Sequence, residues 1–338
     1  MTPRCVSVVV AAVLVPGLAL AVPRPPAPRL HPSAVSPLPT YVRKVAPAVV
    51  SLSVTAPEDA PSSTRLGARR AGSGVIFDDR GYVVTVSYLV LDAVRIEART
   101  RDGVSVEGRL VGVDLDTGLA VVQLRGAGPW PVAALGDSAD MRQGVVAGTV
   151  GADEDNELVH AQATVTGVRR FSAFWEYMLP RAFLVAPAVS SWGGSAMVDE
   201  RGELVGIVSL RLGEEPAWVN MAIPLETFLP VKDEIISAGR VVSRRARPWI
   251  GLHTRANADG VFVDGFNESG PARSAGFRKG DRIVGVNGVR VRTQEEFYEQ
   301  MWRRQAGDTI EVAVNRKDEV RVIPVRSIDR TRLYRTSQ

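Results

Sequence analysis

Gly72-Ser73-Gly74-Val75-Ile76-Phe77-Asp78-Asp79-Arg80-Gly81-Tyr82-Val83-Val84-Thr85 governs the reading of the whole chain. Two short runs rich in β-branched residues, Gly74 to Phe77 and Tyr82 to Thr85, flank Asp79-Arg80-Gly81. Glycine there supplies the positive φ that a tight hairpin turn requires, so the stretch predicts two antiparallel strands. The same texture continues through Val94 to Ala98, Val104 to Leu110, Ala120 to Leu124, Val145 to Val150, Ala161 to Val168, Ala182 to Val185 and Leu204 to Ser209, with Asp102-Gly103 as a further turn. Many short strands with weak helical periodicity argue for a mainly β barrel or sandwich. Ahead of it, Ala56 to Arg70 is polar and turn-rich and reads as a surface loop. A helix is expected from Leu225 to about Ser237, followed by a basic, flexible linker around Val242 to Arg247.

The last part of the chain reads differently. Strands around Val261 to Val263 and Arg282 to Val286 bracket a segment rich in Gly, Pro and Ala, with a short helix expected at Ala272 to Ala275. Asn287-Gly288 is a type I′ hairpin signal. Thr293 followed by Glu296 forms a capping box that opens a helix to about Arg303. Gly307-Asp308 stops it, and Thr309 to Val314 with Val320 to Val325 close a small α+β unit.

At the other end, Arg4 precedes an apolar run from Val8 to Leu20 that finishes in Ala19-Leu20-Ala21, a small-x-small cleavage pattern. The run falls short of the roughly 20 residues needed to span a bilayer. It predicts a signal peptide over residues 1–21, then a Pro-rich tether over 22–39, a first domain over 40–240 and a second over 247–328. The single cysteine, Cys5, lies ahead of the apolar run and would leave with the signal.

Of the 338 residues 45% are hydrophobic and 23% charged, the balance of an ordinary globular protein rather than a disordered or fibrous one. The net charge of +4 arises from 41 basic and 37 acidic residues, and the arginines are scattered. Such a surface carries no footprint for nucleic acid. No His, Cys or carboxylate cluster has ligand spacing, so neither a metal nor another cofactor is expected.

In order along the chain, the opening strand pair, Asp102-Gly103, Leu119-Ala120-Val121-Val122, Gly136-Asp137-Ser138, Ala222-Ile223-Pro224, Trp249-Ile250-Gly251-Leu252, Gly270-Pro271-Ala272, Ala275-Gly276, Lys279-Gly280-Asp281 and Val286-Asn287-Gly288 resemble the HtrA (DegP) family. The resemblance implies a trypsin-like double β-barrel with its cleft between the barrels, followed by a PDZ domain. It also implies assembly through roughly Pro39 to Val54, where Tyr41 is the aromatic residue offered. A homo-oligomer, or a hetero-oligomer with an active HtrA-type protease, is the corresponding expectation.

The cleft chemistry of that family needs a serine nucleophile, a histidine base and an aspartate that orients the imidazole. By resemblance the base position is Tyr88, whose phenol stays protonated at neutral pH. The aspartate position is Gly118, with Asp114 and Asp116 elsewhere in the same turn. The nucleophile position is Gly193, or Trp192 if the glycine pair is held fixed on Gly193-Gly194. Ser190, Ser191 and Ser195 lie close by, while His31, His160 and His253 fall in the tether, between strands of the second barrel and at the start of the PDZ domain.

The expectation is therefore a chain that is not an enzyme: an exported pseudoprotease, periplasmic or extracellular, that binds unfolded proteins or protein C-termini as a regulator or chaperone-like scaffold. The alternative is an active serine endopeptidase of envelope protein quality control, with a rearranged site using Ser195 or Ser191. Peptide binding would fall to Trp249, Ile250, Gly251 and Leu252 as carboxylate loop and strand, with a side-chain pocket completed by Phe297 and Met301, four apart on one helix face.

Overall fold

A computed structural model describes residues 38–337, so the expected signal peptide and most of the tether lie outside the described residues. The chain enters through α1 (Thr40–Val45), whose Tyr41 is buried in the core. Six strands then close a barrel: β1 (Val49–Thr55), β2 (Arg69–Asp78), β3 (Tyr82–Val86), β4 (Arg95–Arg99), β5 (Ser105–Asp114) and β6 (Leu119–Leu124), in the order β1-β2-β3-β6-β5-β4. The opening stretch is the β2–β3 hairpin, with Val75 opposite Val84 and Ile76 opposite Val83. Two short helices, α2 (Ser63–Leu66) and α3 (Ser87–Val90), interrupt the connections; α2 lies in the stretch expected to be irregular. Val83, Val84 and Val86 are all fully enclosed, because β3 lines its own barrel on one side and meets the second barrel on the other.

The second barrel runs β10-β11-β12-β9-β8-β7, from β7 (Val146–Ala152), β8 (Leu158–Ala173), β9 (Tyr177–Ala186), β10 (Ala196–Val198), β11 (Leu204–Leu212) and β12 (Val219–Pro224). Two elements differ from expectation. β8 and β9 continue past the expected ends to pair Phe171 with Leu179 and Ala173 with Tyr177. The extension is sustained by tertiary packing, since Met178 lies against the core of the C-terminal domain. The helix expected over 225–237 is a single turn at Leu225–Thr227 followed by α4 (Lys232–Ala238). Pro230 explains the gap, since proline removes an N–H and disfavours helical backbone at the residue before it.

The C-terminal domain is a sheet of β13 (Leu252–Asn257), β14 (Gly260–Phe266), β15 (Arg282–Val286), β17 (Thr309–Arg316) and β18 (Glu319–Arg326), with β16 (Val289–Arg290) hairpinned to β15 and α5 (Gln294–Met301) packed against it. Asn287 and Gly288 take φ of 49° and 80°, as a type I′ turn demands. Thr293 caps α5 by accepting the Glu296 N–H at 3.1 Å. At Ala272 to Ala275 only one turn of 3-10 helix forms, Pro271–Arg273.

Several attachments hold this domain on the barrels, three of them along the linker, the tail and a hairpin. The stretch read as a flexible linker is pinned, Arg244 pairing with Asp114 and Arg247 with Asp116 at 3.3 Å. The C-terminal tail returns to the first barrel, where Arg335 N–H donates to Asp92 Oδ1 at 2.6 Å. The third attachment is the extended β8–β9 hairpin. Among the described residues no helix is long and apolar enough to cross a membrane.

Candidate functional site

Tyr88 sits on α3, immediately after β3, and its half-buried hydroxyl donates to the Ser209 carbonyl of β11 at 2.6 Å. Burial pushes the phenol well above its usual value, although a side-chain hydrogen bond with Trp192 pulls the other way. The ring therefore stays a neutral hydrogen-bond donor at neutral pH. Its backbone is fixed by Arg70, which donates to the Tyr88 carbonyl at 3.1 Å and to Leu91 O at 2.8 Å.

The loop from Ser190 to Ser195 closes on the same hydroxyl. A Cβ added to Gly193 would lie 2.9 Å from Tyr88 Oη. Gly193 O accepts the Ser73 N–H at 2.7 Å, and Gly194 N–H donates to Val208 O at 2.9 Å. Gly194 has φ of 86°, and a Cβ there would fall 1.9 Å from Ser73 O, so only glycine fits. Ser195 is fully buried and its hydroxyl donates to the Ser191 carbonyl, while Ser191 Oγ donates to Ala152 O at 2.8 Å. Gly118 faces Tyr177, whose hydroxyl would stand 3.0 Å from a Cβ at that position.

Asp114 and His253 have their own partners. Asp114 accepts from Thr117 Oγ1 at 2.8 Å and from Arg244. His160 lies within β8 rather than between strands, opposite Val150. His253, on β13, places Nδ1 2.9 Å from Arg65 Nη2 and is pushed down to about 4 by burial, then by the Arg65 charge. That imidazole is neutral at pH 7 and a weak proton acceptor. Among the described residues no cluster of His, Cys or carboxylates stands ready to hold a metal ion.

A cavity of about 510 Å³ joins the barrel cleft to the C-terminal domain, with Tyr88, Gly118 and Trp192 on one side and Trp249, Gly251 and His253 on the other. Trp249, Ile250, Gly251 and Leu252 form a turn at its rim that leads into the edge strand β13. Phe297 and Met301 do not line an open groove. Both are fully buried in the domain core, and Tyr298 between them sends its hydroxyl outward to the hairpin, donating to Ala173 O at 2.7 Å. Sequence reasoning missed Glu176, which sits at the tip of that hairpin only 2% exposed. It accepts the Ile250 N–H at 3.0 Å and the Leu252 N–H at 2.7 Å. Its one sequence signal was a lone acid among Phe174, Trp175 and Tyr177.

A double barrel with an interbarrel cleft and a small α+β domain of this topology define a trypsin-fold protease scaffold joined to a second domain. The trypsin-like peptidase domain model matches residues 72–207, and the PDZ domain model matches residues 248–326. The serine endoprotease DegS of Salmonella typhimurium is 30% identical over 301 residues, covering 82% of each chain. A probable periplasmic serine endoprotease, DegP-like, of Halomonas elongata is 26% identical over 277 residues, covering 76% of this chain and 56% of the relative. Among solved structures, the HtrA-type protease AlgW with a decapeptide has the same fold, at a TM-score of 0.54 and 23% identity, covering 88% of this chain and 99% of that one. The chain belongs to the HtrA/DegS family of serine endoproteases. The expectation of a chain outside the enzymes is thereby corrected, because a relative 30% identical over most of its length is named a serine endoprotease.

Proposed function

We propose that this HtrA-family protein serves protein quality control in the cell envelope, gripping unfolded segments or exposed C-termini by its PDZ domain and presenting them to the barrel cleft. The observation that carries this reading is the shared cavity, which joins the Trp249-to-Leu252 turn to Tyr88 and Trp192 without an intervening wall. An edge strand beside a loop of backbone N–H groups suits an extended peptide with a terminal carboxylate. The decapeptide held by AlgW supports the same use of the scaffold. Export is supported by the leader-like run Val8 to Leu20 and by the periplasmic relative.

Hydrolysis by this chain would run through a rearranged site, since the places matching base, orienting acid and nucleophile hold Tyr88, Gly118 and Gly193. Two serines of the Gly193 loop, Ser191 and Ser195, each donate to a carbonyl in the resting structure. Labelling of the purified protein with a fluorophosphonate, then mapping the adduct by mass spectrometry, tests this arm. An adduct at Ser191 or Ser195 supports the rearranged site, and an unlabelled protein refutes it. Fluorescence anisotropy with unfolded casein and with free-acid decapeptides tests the gripping arm, which fails if neither probe binds.

A further inference from the structure

The tip of the β8–β9 hairpin lies along the free edge of the PDZ sheet in the manner of a bound peptide. β13 is an edge strand whose one neighbour is β14. On its open side, Thr254 N–H donates to Phe174 O at 3.0 Å. Two residues further along the hairpin, and two and four residues back from Thr254, the Glu176 carboxyl takes the N–H groups of Leu252 and Ile250. The hairpin therefore runs antiparallel to β13, with a carboxylate at its leading end. On the far side of the groove, Tyr298 of α5 receives the Glu176 N–H at 3.2 Å and holds Ala173 O. The same helix adds Glu295, which accepts from Ser172 Oγ at 2.6 Å, and Glu299, paired with Arg170 at 2.6 Å.

Two further features set this tip apart from a passive domain contact. Glu176 has φ of 57°, a left-handed conformation that L side chains adopt at a cost and that persists only when surroundings enforce it. A buried carboxylate is expensive unless it is matched by donors, and here the donors are the loop that receives peptide carboxylates in this domain class.

We propose that Phe174-Trp175-Glu176 is a ligand in cis for the PDZ domain: the Glu176 side-chain carboxyl group fills the seat of a peptide's terminal carboxylate, and an incoming peptide binds by displacing the hairpin. The inference rests on the peptide-gripping reading above and adds its regulation. Displacement releases one attachment of the PDZ domain and frees the hairpin residues Phe174, Trp175 and Tyr177 that line the shared cavity.

The test compares the full-length protein with Glu176→Ala and Glu176→Gln, each checked for a cooperative thermal transition. Amide exchange over residues 249–254 is read by mass spectrometry, and affinity is read with a fluorescein-labelled decapeptide ending in Ala-Leu-Val, as free acid and as C-terminal amide. Exchange in Glu176→Ala is expected to rise at least tenfold, and the free acid to bind at least tenfold more tightly than to the parent, with the amide bound by none. Glu176→Gln, which keeps the side-chain volume, is expected to move both readouts in the same direction if Glu176→Ala folds poorly. Unchanged exchange, or equal affinity of parent and variants, overturns the cis ligand. Faster exchange with no peptide bound by any form upholds the cis ligand and refutes peptide gripping.

Discussion

Tyr88 and Gly193 confront each other across the barrel cleft: the Tyr88 hydroxyl lies 2.9 Å from where a Gly193 side chain would begin. The hydroxyl cannot simply swing aside, because it is committed to the Ser209 carbonyl at 2.6 Å inside a buried environment. Gly193→Ala is therefore expected to cost about 1–2 kcal/mol through overpacking. Tyr88→Phe alone loses a buried hydrogen bond worth about 1 kcal/mol. Together they relieve each other, so the double variant should be at least ~0.5 kcal/mol more stable than the sum of the singles predicts. Urea denaturation of the four proteins gives the coupling, and strict additivity would sink the claimed confrontation.

Glu176 makes hairpin docking depend on pH. Burial pushes its carboxyl up to about 7, against the N–H groups of Ile250, Leu252 and Gly251 and the charge of Arg330. The Tyr298 hydroxyl beside it is also pushed up by burial and stays protonated. A docked tip thus keeps a proton that an exposed glutamate releases near 4.5, so this contribution to docking is complete below about 4.5 and is lost as pH rises through about 7. His253, held near 4 by burial and Arg65, works in the opposite sense: its contribution is present above its ordinary 6.5 and is lost as pH falls toward 4. Glu176→Gln keeps His253 and removes the acid. The parent-minus-variant difference in exchange protection at 250–254 should shrink between about pH 5 and about pH 8, and a flat difference would count against the docked carboxyl.

How much of this was legible beforehand follows from where the determining forces lie. The first barrel announces itself locally, because the β-branched runs Val75-Ile76 and Val83-Val84 flank a glycine turn and meet in register. The PDZ hairpin at Asn287-Gly288 and the Thr293 cap are local too. The extension of β8 and β9 was not legible, since Arg169 to Tyr177 gains its order from a surface remote in sequence. For the same reason Asp114 and Asp116 read as stray turn carboxylates until Arg244 and Arg247 arrive beside them. Phe297 and Met301 share one face of α5, and that face is buried in the domain core, while Tyr298 between them reaches the hairpin.

Gly251 lies between the two residues whose N–H groups hold the Glu176 carboxyl. It has φ of 79°, and a Cβ there would fall 2.6 Å from Gly270 Cα, backbone against backbone. Gly251→Ala combines a left-handed strain of about 1 kcal/mol with a clash that neither chain segment can yield to cheaply. The loop must shift, and the two amides that hold Glu176 shift with it. A loss of about 2–3 kcal/mol in stability is expected, together with rapid amide exchange at Ile250 and Leu252 and weakened binding of free-acid peptide. A stable Gly251→Ala protein that binds such a peptide as well as its parent would show that this loop is not the seat.

The last prediction concerns the pair that locks the far side of the PDZ sheet. Arg316 on β17 grips Asp281 with two hydrogen bonds of 2.7 Å, and the Asp281 side chain is only 1% exposed. Burial would push that carboxyl up, but Arg316 and the Arg278 N–H more than reverse it and hold it below its ordinary value. Removing one partner of such a pair strands a buried charge, so Arg316→Ala should destabilise the protein near neutral pH. An acid with a depressed folded value stabilises above its ordinary 3.8 and loses that contribution as pH falls through the folded value. The gap between parent and Arg316→Ala should therefore narrow as pH falls below the ordinary 3.8, measured by urea denaturation with hydrogen exchange read over β17. A gap that stays constant as pH falls would mean that packing of the arginine stem, rather than the ion pair, carries its effect.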